Sequence, residues 1–106
     1  MAVDTVRLAR QFFAAARALA MHQGTLQERL ADAYADHLLA VSVHDLPVDL
    51  QAPFRELEQR MNAETDSGGD DPIALAASQL TDAEARSLIE RILLLYGRVA
   101  AIAGEH

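Results

Sequence analysis

A chain of 106 residues has room for one domain, and a domain of that size buries about 65% of the surface its unfolded chain exposes. With 51% hydrophobic and 24% charged residues the chain reads as globular, not disordered. A net charge of −7 argues against a nonspecific nucleic-acid binder, and the absence of cysteine excludes disulfides, a thiolate nucleophile and Cys-based zinc or iron–sulfur sites.

The pattern predicts a first helix from about Asp4 to Met21, ending before Gly24. Its apolar arc takes in Val6, Leu8, Ala9, Phe12, Phe13, Ala16, Leu19 and Ala20, with Arg7, Arg10, Gln11 and Arg17 on the other side. The same stretch imitates a secretory leader, with Ala18-Leu19-Ala20 as a mock cleavage site. Asp4, the mid-run Arg17 and the good amphipathic fit argue against that reading.

Thr25-Leu-Gln-Glu28 is a capping box and opens a second helix predicted to run to about Val41. Leu26, Leu30, Tyr34, Leu38 and Val41 share one face, and His37 falls in the middle of it. Leu39 lies on the opposite, acidic side with Glu28, Asp32 and Asp36. Ser42 to Pro47 reads as a turn in which Asp45 caps a third helix with Pro47 near its first turn. That helix is expected to reach about Ala63, with a kink or a restart at Pro53 and a narrow stripe of Leu50, Phe54, Leu57 and Met61.

Glu64 to Asp71 holds four acids and no basic residue, and reads as a flexible acidic loop. A short helix follows to about Gln79. Thr81-Asp-Ala-Glu84, a second capping box, then starts the last helix. On that helix Leu88, Ile92, Leu95, Val99 and Ile102 form one apolar face, and Ile89, Leu93, Tyr96 and Ala100 form the face beside it. Leu94 sits apart, in the polar arc with Arg91, Arg98 and Ala101. Gly97 and Arg98 interrupt the apolar run well short of the roughly 18 residues a membrane span needs. No strand-like alternation, repeat or hinge is visible. The expectation is an all-α fold, a compact bundle of four main helices plus one short helix in a single domain over residues 1–106, with the first and last helices at its centre.

Candidates for chemistry are few. A histidine on an apolar face needs a partner for its ring, so His37 with Tyr34 and Tyr96 is the candidate pocket for a ligand or proton-transfer group. Its simpler role is that of a hydrogen-bonded core or interface histidine. A metal at His37, His44 and Asp45 is disfavoured, because bundle metal sites draw Glu and His from several facing helices. Arg17-Ala-Leu-Ala-Met-His22 is similar to the R-x4-H spacing of the HEPN ribonucleases, which would make Arg17 and His22 an RNase pair. On one continuous helix, however, five positions place the two side chains about 140° apart, and an acidic chain offers RNA no basic cleft. The Asp-rich loop lacks the alternating ligands and closing Glu of a calcium loop.

No catalytic residue, cofactor or metal ligand is therefore assigned. The remaining signal is Leu94 between Arg91 and Arg98, and Leu39 beside Asp36, as halves of a protein contact. The expected function is that of a small cytoplasmic bacterial-type adaptor, regulator or antitoxin-like protein. It would act as a homodimer or with another protein, without nucleic acid or membrane. A ligand-binding or enzymatic bundle around His37 is the alternative.

Overall fold

In the computed structural model, which describes residues 5–61 and 72–104, every regular element among the described residues is helical. The predicted acidic loop 64–71 lies outside the described residues. The elements are α1 (Thr5–Met21), α2 (Leu26–Ala33), a π-helical turn (Tyr34–Leu38), a 3-10 turn (Val43–Asp45), α3 (Val48–Met61), α4 (Pro72–Ser78) and α5 (Asp82–Gly104). They form the all-α compact bundle that the pattern predicts.

Both capping boxes form. The Glu28 N–H donates to Thr25 Oγ1 at 3.1 Å, and the Thr25 N–H donates to the Glu28 carboxylate at 2.9 Å. Thr81 and Glu84 repeat the arrangement at 3.1 and 2.9 Å. Each box satisfies two N–H groups that a helix start leaves without an internal partner. Gln27 joins the two starts in space, because its side-chain amide donates to the Leu80 carbonyl at 2.9 Å and to Asp82 at 3.0 Å.

The core follows the helical periods closely, though not everywhere. Helix α3 buries Leu50, Phe54, Leu57 and Met61, the stripe that spacing picks out. Helix α5 buries Leu88, Ile92, Leu95 and Val99, and its contact with α1 is the most extensive among the described elements. Phe12 of α1 meets Phe54 of α3 edge-on, with ring centroids 6.0 Å apart, a geometry that aligns ring edge with ring face. Among the described residues no polar or charged side chain is buried.

Four expectations need correction. The buried face of α1 does not coincide with its apolar arc: Leu8, Phe12 and Leu19 are buried together with Ala15, which lies outside that arc, whereas Val6, Phe13 and Ala20 are exposed. One face is all that α1 can press against its neighbours, and the arc extends beyond it. Helix α3 does not restart at Pro53 but runs through it from Val48 to Met61. Proline there gives up the bond to the Asp49 carbonyl and crowds it, a local cost that burial of Leu50, Phe54, Leu57 and Met61 along the same helix offsets. Asp45 belongs to the 3-10 turn, whose cap is Ser42, accepting the His44 N–H at 3.3 Å. Finally, the second helix leaves α geometry after Ala33. The Leu39 N–H reaches back five residues to the Tyr34 carbonyl at 2.8 Å. Tyr34 and Leu38, the two ends of this wider turn, are both buried. His37, inside the turn, is left half-buried at the edge of the core.

Candidate interaction face and histidine sites

Helices α3 and α5 are laced together along their solvent side by three ion pairs. Arg98 reaches Asp49 at 2.8 Å, Arg91 bonds Glu56, and Arg60 reaches Glu84 at 3.1 Å. As the residue number rises on α3 it falls on α5, so the two helices run antiparallel. Arg91 also donates to the Pro53 carbonyl at 3.4 Å. The arginines on either side of Leu94 are thus matched by acids of the same chain. They give a partner no free positive patch to meet the acids around Leu39.

What they leave instead is an apolar point inside a polar ring. Leu94 is 63% exposed, with the Arg91–Glu56 pair on one side and the Arg98–Asp49 pair on the other. Leu94 is one wall of an open hollow of about 540 Å³, lined otherwise by Ala52, Pro53, Glu56, Ser87, Glu90 and Arg91. Leu39 is 53% exposed, and Asp36 beside it faces solvent.

The predicted pocket residues do not gather as one group. Tyr34 is buried in the core, and Tyr96 is half-buried against Phe13, with ring centroids 5.9 Å apart. His37 instead faces α1 and lines an open hollow of about 440 Å³ with Phe13, Ala14, Arg17, Ala18 and Met21. Tyr96 stands behind the Phe13 wall of that hollow.

No protein family, curated protein or solved structure matches this chain.

His22, paired with Arg17 by spacing, serves elsewhere. Helix α1 ends at Met21, and His22 turns toward α2. Its Nδ1 accepts the Gly24 N–H at 2.8 Å, which leaves Nε2 to carry hydrogen toward Asp32 Oδ2 at 2.5 Å. Arg17 and His22 therefore do not act together. The His22–Asp32 pair is not visible as a motif; its only sequence trace is Asp32 one helical turn beyond Glu28. Ser78 lines the same 270 Å³ hollow as His22 and Asp32, which superficially assembles Ser, His and Asp. The arrangement cannot activate a nucleophile. Both imidazole nitrogens are engaged, and the Ser78 hydroxyl donates to the Leu75 carbonyl at 2.7 Å. His22 closes the α1–α2 turn.

His37, His44 and Asp45 do not converge, and the described residues contain no group of three or more His, Asp or Glu placed to share a metal ion. No helix among the described residues is long and apolar enough to cross a membrane. Two carboxyls are electrostatically distinctive. Glu28 is held below the ordinary glutamate value of 4.5, chiefly by the Thr25 backbone N–H. Glu84 is lowered likewise, by the Thr81 backbone N–H first and by the Arg60 guanidinium next.

Proposed function

We propose that this protein works through protein–protein contacts, as an adaptor, regulator or antitoxin-like partner in a bacterial cytoplasm. Its primary contact is with a second copy of itself through the Leu94 face. The observation that carries this reading is an exposed leucine on the wall of an open hollow. Leu94 lines that hollow together with Ala52 and Pro53, so a twofold axis through the face would let each copy's leucine cover the other copy's hollow. An apolar anchor ringed by ion pairs is the anatomy of an interface hot spot, where the rim excludes water and the centre supplies affinity. Leu39 beside Asp36 offers a separate apolar point for a different protein.

Burying two leucines that are each about two-thirds exposed contributes about 2–4 kcal/mol to a dimer. Leu94→Glu should therefore weaken association about 30- to 1,000-fold. Sedimentation equilibrium over a wide concentration range is the test. The wild type should approach twice 11.5 kDa and Leu94→Glu should stay monomeric with an unchanged circular dichroism spectrum. A wild type that remains monomeric at near-millimolar concentration removes the proposal.

A further inference from the structure

We infer that the hollow between α1 and the π-helical turn binds an organic anion, a carboxylate carried on an aromatic or short aliphatic body. This site is independent of the Leu94 face. Its volume of about 440 Å³ lies within the roughly 300–1,000 Å³ that small-molecule sites occupy. Phe13 and Met21 form its apolar walls, and they are 53% and 67% exposed. Two large apolar side chains left facing water around one depression supply a driving force for an apolar body to cover them. Phe13 is braced from behind by the tilted ring of Tyr96, so the wall is preformed and need not be ordered by the ligand.

The polar groups decide the sign of the ligand. Arg60, Arg91 and Arg98 each meet a carboxylate of this chain, whereas Arg17, which lines this hollow, makes no ion pair or hydrogen bond among the described residues. Helix α1 itself contains no acid to neutralise Arg17. A guanidinium offers a planar fork that fits a carboxylate through two parallel hydrogen bonds. His37, on the opposite wall, has no side-chain hydrogen-bond partner among the described residues and presents an N–H in any of its protonation forms. Its place there follows from the π-helical turn, an irregularity that helices often keep at functional sites. A cation is excluded by Arg17. A bare inorganic anion would meet one exposed guanidinium and one imidazole, with no backbone N–H free inside the helix to add a third contact. Useful affinity therefore requires the apolar body as well.

The test uses the full chain, 15N-labelled, titrated with 1-naphthoate and octanoate. Naphthalene-methanol and octanol serve as uncharged counterparts, and inorganic phosphate as an anion without an apolar body. Binding at this site predicts saturable amide shifts centred on Phe13, Arg17, Met21 and His37, with each acid about tenfold tighter than its alcohol and phosphate far weaker than either acid. Arg17→Gln should weaken the acids about tenfold and leave the alcohols unchanged. Leu94→Glu should affect neither, which separates this site from self-association. Equal binding of acid and alcohol, indifference to Arg17→Gln, or shifts centred elsewhere would each overturn the inference.

Discussion

Gly24→Ala and Gly97→Ala are the same chemical change with opposite expected signs. A Cβ on Gly24 would stand 2.5 Å from Glu28 Oε1 and 2.7 Å from His22 Cε1, so both side chains must swing aside. The His22 ring cannot do so and keep its contacts, which run to the Gly24 N–H on one side and Asp32 on the other. Losing two such contacts costs about 1–3 kcal/mol, while alanine returns about 0.4–1 kcal/mol by restricting the unfolded chain. The net is a loss of about 1 kcal/mol, or a melting point lowered by about 4–8 °C. At Gly97, exposed on α5, an added Cβ meets nothing within 4 Å. Alanine there should add about 0.5–1 kcal/mol through helix propensity alone. Thermal unfolding followed by circular dichroism reads both, best in the Leu94→Glu background so that association does not contribute. A Gly24→Ala protein that melts at or above its parent would refute the account of the α1–α2 turn, and a loss of stability in Gly97→Ala would refute that of an open position on α5.

Acid should loosen the starts of α2 and α5. Because the folded-state values of Glu28 and Glu84 lie below 4.5, their stabilisation is complete above that value and is lost as pH falls through the lowered ones. Melting points measured from about pH 5 down to about pH 3 should drop less steeply in the Glu28→Gln/Glu84→Gln double variant, which keeps the hydrogen-bond acceptors without the titration. Phe54→Ala removes a fully buried ring from its edge contact with Phe12 and should cost about 3–5 kcal/mol. That is a large share of the roughly 5–15 kcal/mol that holds such a domain together. A shift of the urea midpoint equivalent to under about 1.5 kcal/mol would mean that the core closes around the gap.

What the sequence made legible was local. A capping box is four residues that meet within one turn, so Thr25–Glu28 and Thr81–Glu84 could be read as helix starts with no knowledge of the fold. The stripe of α3 was legible for a similar reason, since a narrow apolar face has one way to be buried. Breadth was the harder problem. Val6 and Phe13 lie on the apolar arc of α1 by spacing, yet only the placement of the neighbouring helices decides where burial stops. The partners of Arg91 and Arg98 lie 35 and 49 residues away, and no periodicity within one helix reports on such a pair. The candidate pocket was half legible. His37 stood out as a polar residue on an apolar face, but its neighbours proved to be Arg17, Phe13 and Met21 of α1, with Tyr34 buried and Tyr96 one layer behind.

The π-helical turn has a consequence for how this surface could be reshaped. Between Ala33 and Leu39 the chain holds one residue more than an α register would use. Taking out any one of the five residues Tyr34–Leu38 would let the helix continue as an ordinary α-helix. The wider turn absorbs that residue, so Leu39 and the positions after it would keep their phase against the core while the residues inside the turn closed up by one place. The turn thus works as slack in the helix, one residue deep. Shortening it would change which side chain faces α1 and leave Leu39 facing water, so the two surfaces can be altered independently.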